Sequence, residues 1–288
     1  DGYEVRTYKS NLYTPGLLVN NNVICVEEDY SHRLWIGTHE GLCVLDKRTG
    51  KMRKMKLEGI SKHRLNEIHV TKDNKVYLGY IRGMACYNAE LDTLELMTSK
   101  NCKGEVPEQI NIQTLLEDEN GDLLIGTWQD GLFHYNIKEN KFIHYPPLDE
   151  SNSVLALFQD SKGALWIGTS GSGLYKVNFS PDKKILSVEK AYKHDALNTL
   201  SLSSDYIYSI HEDLQTHSLW LGTRNGVSIM DLTDEGKFIN YRESGSEHYL
   251  PVREVNTVFR DKNGLMWIGT KGAGVFHVNT RTRPFEVF

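Results

Sequence analysis

The chain has 288 residues, with 24 Gly, 15 Tyr, 5 Trp and only 7 Pro, 39% hydrophobic and 25% charged residues, and a net charge of −5. That balance is globular, neither disordered nor fibrous, and the length supports a sizeable core. The acidic charge argues against a general nucleic-acid binder or a polybasic membrane-surface protein, and no apolar run approaches the roughly eighteen residues of a bilayer span.

Taken in chain order, the residues repeat. The chain starts at Asp1 without Met or an apolar leader, which reads as a processed protein or a piece of a longer one. Residues 3–8 (Y-E-V-R-T-Y) read as a strand. Residues 23–26 (V-I-C-V) are a second strand, closed by Asp29 in a tight turn, since Asp bonds its own backbone. Residues 34–38 (L-W-I-G-T) are nearly all apolar and predict a strand covered on both faces. A turn with Gly41 leads into a third strand over 41–46. The L-W-I-G-T type recurs at 76–80, 123–127, 165–169, 219–223 and 266–270, with its glycine at Gly37, Gly79, Gly126, Gly168, Gly222 and Gly269, spaced 42, 47, 42, 54 and 47 residues apart. A second glycine follows each: Gly41, Gly83, Gly131, Gly173, Gly226 and Gly274. The closing Asp is read at Asp29, Asp73, Asp118, Asp160, Asp213 and Asp261, and F-x-x-Y runs such as 142–145 and 238–241 supply a fourth strand. No ten-residue stretch has a helical apolar period.

Four short strands repeated every forty to fifty residues, approximately, predict an all-β fold, a β-propeller of four-stranded antiparallel blades. Residues 1–288 are expected to form a single propeller domain, or a fragment of one, with six recognisable repeats. Strand four is counted once more than the others, because 3–8 and 284–288 both read as one; a seven-blade ring with a partial blade is the alternative to six. Trp35, Trp166, Trp220 and Trp267 share one frame position and are expected to fill the wedge between blades, with the glycine two residues on placed where neighbouring blades would collide. Cys25, Cys43, Cys86 and Cys102 form no CxxC and are expected to be buried thiols.

The L-W-I-G-T…G-L pattern, preceded by N/S-V/I-x-x-L-x-x-D, resembles the two-component regulator propeller repeat, as found in the periplasmic sensor region of hybrid two-component regulators of glycan-degrading gut bacteria. The resemblance covers nearly the whole chain. Unit two departs most, with Tyr77 for Trp and Tyr80 for Thr, and unit three has Leu124 for Trp. The resemblance implies a periplasmic signal-input domain that recognises an oligosaccharide. It also implies an inner-membrane-anchored parent whose kinase is not in this chain, and a homodimeric parent. It implies no catalysis by this domain itself, no cofactor and no nucleic-acid contact.

In propellers the turn between strands two and three opens on the same face as the link between blades, around a central channel, and such a concave face is a natural binding site. The loop residues there are expected to contact ligand: His39, Arg64, Arg82, Trp128, Gln129, Asp130, Arg224, Asn225, Arg253 and Lys271. Amides, carboxylates and guanidinium groups suit sugar hydroxyls, Arg also receives carboxylate or sulfate, and Trp128, the tryptophan outside the frame, suits stacking on a sugar ring. The 11 His are scattered without a metal motif, and His134 and His277 occupy one equivalent place in strand three. Residues 168–173 and 269–274 look like phosphate loops but lack G-K-[ST] and a following helix, so they read as blade turns. The alternatives are a propeller lyase of the streptogramin-lyase type, for which only His39 is well placed, and a protein-interaction scaffold.

Overall fold

The computed structural model describes residues 7–10, 18–55, 64–148, 152–180, 183, 186–242 and 248–280. The segments 3–8 and 284–288, read as extra fourth strands, lie outside these except for Thr7 and Tyr8, which carry no strand. Among the described residues there is no helix, and six sheets succeed one another, each an antiparallel run of strands, with a short parallel edge strand added in the third and fifth. They are the blades of a six-bladed β-propeller fold. The chain divides into two compact units, Asp1–Thr127 with Phe133–His144, and Trp128–Leu132 with Tyr145–Phe288.

In the first unit, blade one is β1 (Val23–Glu28), β2 (Arg33–Thr38), β3 (Gly41–Asp46) and β4 (Met52–Met55). Blade two is β5 (Leu65–Val70), β6 (Val76–Tyr80), β7 (Gly83–Asn88) and β8 (Thr93–Met97). Blade three has a short β9 (Lys103–Gly104) ahead of β10 (Ile112–Glu117), β11 (Leu123–Thr127), β12 (Leu132–Asn136) and β13 (Lys141–His144), with β9 lying parallel to β13 at the sheet edge; its turn 128–131 and Leu132 group with the second unit. There, blade four is β14 (Val154–Gln159), β15 (Leu165–Thr169), β16 (Leu174–Phe179) and β17 (Leu186–Tyr192). Blade five is β18 (Ile207–Asp213), β19 (Ser218–Thr223), β20 (Gly226–Asp231), β21 (Phe238–Arg242) and a short β22 (His248–Tyr249). Blade six shows β23 (Val255–Arg260), β24 (Leu265–Thr270) and β25 (Val275–Asn279). The F-x-x-Y signature marks only β13 and β21; β4, β8 and β17 are fourth strands without it.

The first two strands of every blade share one irregularity. A register shift precedes the residue opposite the frame glycine, at Cys25, Glu67, Thr114, Ala156, Ser209 and Thr257. The bulge bends strand one just where the glycine receives the next blade. A Cβ added at Gly79 would lie 2.6 Å from Cγ2 of Ile112, and one at Gly168 2.8 Å from Cγ2 of Ile207, each the first residue of the next blade's inner strand. The expected collision between neighbouring blades is therefore the reason for the glycine.

The frame tryptophans divide. Trp35 and Trp166 are 0% exposed and Trp220 5%, whereas Trp267 is 36% exposed. Trp35 packs with Leu65, Leu78 and Leu94 of blade two and meets the Tyr87 ring edge-on at 4.8 Å. Trp166 packs with Ile207, Leu221 and Phe238 of blade five. In blade two Tyr77 takes this place against Tyr135 and Phe142.

The indole also has a polar partner that periodicity does not reveal. Asp29 accepts the backbone N–H groups of Ser31 and Arg33 on Oδ1 and the Trp35 Nε1–H on Oδ2, each at 2.9 Å. Asp160 holds Trp166 at 2.8 Å and Asp261 holds Trp267 at 2.9 Å in the same way. The frame Asp thus closes the turn and anchors the ring with one carboxylate. In blade five Asp213 keeps the turn while Trp220 donates to Ser218 Oγ at 3.0 Å. In blade two the closing position belongs to Thr71, not Asp73: Thr71 N–H bonds the Lys75 carbonyl at 2.9 Å, as Asp29 N–H bonds that of Arg33. Asn74, at φ 60°, takes the left-handed turn position that Gly121, Gly163 and Gly264 fill elsewhere, which Asn tolerates.

All four cysteines are free thiols, but only Cys43 is fully buried. The other three are half-buried at the edges of the cores, and burial pushes Cys86 up to about 11.

Candidate functional site

In four blades the threonine ending the L-W-I-G-T run shapes the turn that follows. The hydroxyls of Thr38, Thr169, Thr223 and Thr270 donate to the carbonyls of Gly41, Gly173, Gly226 and Gly274 at 2.7–2.9 Å. These hydrogen bonds fix a short, stiff turn whose outer residues vary freely, an arrangement suited to presenting different side chains on one scaffold.

In each unit the turns are stitched to the links that enter the blades. His39 N–H donates to Asn22 O and Gln109 N–H to Arg82 O, both at 3.0 Å, in the first unit. Asn66 Nδ2 donates to Asn111 Oδ1 at 2.8 Å there. In the second unit the stitches form a continuous belt. Gln129 N–H bonds Ser153 Oγ at 3.0 Å, Gly131 N–H bonds Asn152 O at 2.8 Å, and Ser170 N–H bonds Ser153 O at 3.1 Å. Gly171 and Gly173 N–H both reach Asp205 O at 3.0 Å. Arg224 N–H bonds Tyr206 O at 3.1 Å, Gly226 N–H bonds Arg253 O at 2.7 Å, and Lys271 N–H bonds Glu254 O at 3.0 Å. Turns and links therefore share one end of each blade.

The structure sorts the sequence-derived residues accordingly. His39, Arg64 and Arg82 are exposed on loops of the first unit. Trp128, 41% exposed, with Gln129 and Asp130 begins the belt of the second unit. Arg224, Asn225, Arg253 and Lys271 are gathered at its other end, joined through the backbone bonds above. Asn225 Nδ2 donates to Ser203 O at 3.2 Å, which orients its amide. Lys271 pairs with Glu254 at 2.6 Å.

Two tyrosines at this end escape the sequence reading. The Arg224 guanidinium lies over the Tyr206 ring, 4.9 Å from its centroid. That ring sits against Gly171, where a Cβ would come within 3.3 Å of it. Burial raises the Tyr208 hydroxyl above its ordinary value, with Glu254 adding to the rise while Arg224 and Lys271 oppose it. The four groups share one local field. The available signal was the link D-Y-I-Y, residues 205–208, where the place of Tyr206 is held by Asn22, Asn111 and Ser153 in blades one, three and four.

A second polar cluster lies in blade three, where Leu124 replaces the tryptophan. Asp118, Asp122 and His134, all buried, place one donor atom each within 4.8 Å of the others, the residue types of a metal centre. His134 Nε2 is 3.8 Å from Asp118 Oδ2 and 3.5 Å from Asp122 Oδ2. These groups also have work in the fold. Asp118 Oδ1 accepts the turn N–H groups of Asn120 and Asp122, and Asp122 accepts Ile137 N–H at 3.1 Å and Asn136 Nδ2 at 3.0 Å. The imidazole faces the frame carboxylate much as the indole does elsewhere.

Residues 17–40, 149–171 and 249–272 match the family model of the two component regulator propeller. Three segments of this β-propeller fold thus match that repeat. No curated protein matches it in sequence. Among solved structures it is similar to the extracellular domain of BT4673 from B. thetaiotaomicron, described as a one component system in one structure and a hybrid two component system in another. The identity is 21% and the TM-score 0.54, over 94% of this chain and 41% of that one. PorZ of the Porphyromonas gingivalis type-IX secretion system aligns at 14% identity and TM-score 0.71, over 96% of this chain and 43% of that one. Virginiamycin B lyase from Staphylococcus aureus aligns at 11% identity and TM-score 0.67, over 93% of this chain and 85% of that one. The chain thus spans about two-fifths of the BT4673 domain (41%).

Proposed function

We propose that this chain is part of the extracytoplasmic, signal-input region of a hybrid two-component sensor, and that its ligand is an oligosaccharide held by the loop belt. The observation that carries this reading is the stitched run of turns and links from Trp128 to Lys271. It offers an exposed aromatic ring, amides, carboxylates and guanidinium groups on a stiff framework. Sugars need that mixture, because their hydroxyls pair with planar polar groups and their ring faces with aromatics. The two-component regulator repeats support the sensor role. On this reading the kinase lies elsewhere in the parent, the domain faces the periplasm, and parent subunits pair so that two kinases meet.

A thermal-shift screen of the sensor region against defined oligosaccharides tests it. A ligand at a hundredfold excess over its Kd raises stability by about 2.7 kcal/mol. One sugar class is expected to raise the melting point, and no shift with any class would refute the reading. The lyase alternative rests on fold similarity alone. It requires turnover that a chelator abolishes.

A further inference from the structure

We propose that the blade-five and blade-six end of the belt binds an anionic sugar, through Arg224, Arg253 and Lys271 acting on a carboxylate or sulfate group. This rests on the glycan-sensing reading above and narrows its ligand class.

The chain is acidic, with a net charge of −5, yet three cations meet at one stitched corner: Arg224 N–H bonds Tyr206 O, Arg253 O accepts Gly226 N–H, and Lys271 N–H bonds Glu254 O. Arg224 and Arg253 are exposed, and neither carries an ion pair among the described residues. Guanidinium groups with no ion-pair partner among the described residues attract an anion from outside, and each binds carboxylate or sulfate through two parallel N–H bonds.

Arg224 is also prepared for that task. Its guanidinium rests on the Tyr206 ring at 4.9 Å, and stacking of this kind leaves the in-plane N–H edges free for a ligand. The ring itself is braced, since Gly171 abuts it and Tyr206 N–H bonds Ser204 Oγ at 3.2 Å. Less side-chain entropy is then lost on binding. Lys271 is 69% exposed against 21% for its Glu254 partner, so the ammonium can keep that bond and still turn its other N–H donors to an incoming anion. Asn225 and the remaining oxygen of the Glu254 carboxylate supply partners for neighbouring hydroxyls.

Isothermal titration of the 288-residue chain separates the possibilities, with trigalacturonate, a sulfated chondroitin disaccharide and neutral maltotriose as probes. One or both anionic probes are expected to bind, the neutral one at least about tenfold more weakly, with affinity falling as salt rises. The arm that binds distinguishes carboxylate from sulfate. Arg224→Ala is expected to weaken the anionic probe about 10- to 100-fold at an unchanged melting point, and Arg224→Lys to restore only part of it. Binding of the neutral probe as tight as the anionic ones, or anionic binding indifferent to Arg224→Ala, would overturn the inference and leave the glycan-sensor reading intact. No binding by any of the three overturns the inference too; the wider oligosaccharide screen then decides the sensor reading separately.

Discussion

Blade one and blade three solve the same problem with different residues. In blade one the buried Asp29 divides its oxygens: Oδ1 closes the turn, and Oδ2 takes the Trp35 indole at 2.9 Å and Arg33 Nε at 2.6 Å. In blade three Asp118 closes an identical turn, but Leu124 has no N–H to offer, and the group facing Oδ2 is His134 at 3.8 Å from the opposite strand of the hairpin. The comparison teaches that the repeat fixes the carboxylate and the turn, while its partner is replaceable. The exchange has consequences: an indole supplies a neutral donor and a large ring to the next blade together, whereas His134 supplies polarity, while the aromatic rings of its blade, Tyr135 and Phe142, pack against Tyr77 of blade two.

If the ring dominates the blade-one arrangement, Trp35→Ala has the largest effect. The loss is expected at about 3–5 kcal/mol, the range for buried aromatics, and Trp166→Ala should match it in the second unit. Denaturant midpoints measure both, and an unchanged midpoint would remove the packing assignment. Removing the carboxylate is expected to come next. Asp29→Ala orphans an indole and two backbone N–H groups, for about 1–3 kcal/mol. Acid should mimic it. Desolvation alone would raise the Asp29 carboxyl, but the bonds from Trp35 and Arg33 outweigh it and hold the group below its ordinary 3.8. A lowered value in the folded state means that stability is present above 3.8 and is lost as pH falls through the lower value. Asp29→Asn should flatten that acid limb.

Blade three should show a weaker coupling. A double-mutant cycle between Asp118→Asn and His134→Gln is expected to return about 0.5–1 kcal/mol, at the low end for contacting residues. A coupling near 3 kcal/mol would mean that the imidazole bonds Asp118 as firmly as an indole does, and would erase the distinction between the blades.

Much of this was legible in the residues. Spacing of Gly37 to Gly269 and the alternation of apolar runs identify the blades, because every blade must meet the same neighbour in the same way. The Asp–Trp bond was not legible, since a six-residue separation across a turn has no period of its own. Asp73 misled because composition cannot tell which polar residue closes a turn; the backbone bond of Thr71 can. Of the candidate site, the loops and their cations were found by position in the repeat. Tyr206 was missed because an aromatic residue beside β-strands reads first as core, and only the overlying Arg224 shows that its face is used.

The smallest expected effect is the most discriminating. Trp267 keeps the polar half of the arrangement, bonding Asp261 at 2.9 Å, but among the described residues its packing is thinner: it is 36% exposed, meeting the His277 ring of its own blade at 5.2 Å, with Phe259 at 54% and Val275 at 63% exposed. Among the described residues, a Cβ on Gly269 would meet Thr257 of its own blade, whereas one on Gly79 would meet Ile112 of the next. Trp267→Ala therefore isolates the indole–carboxylate bond from the wedge, and about 1 kcal/mol is expected, well under the loss for Trp35. Iodide quenching of single-tryptophan variants supplies an independent check, with Trp267 quenched and Trp35 protected. Equal losses for Trp267→Ala and Trp35→Ala would mean that the hydrogen bond, rather than the fit between blades, explains why this repeat keeps its tryptophan.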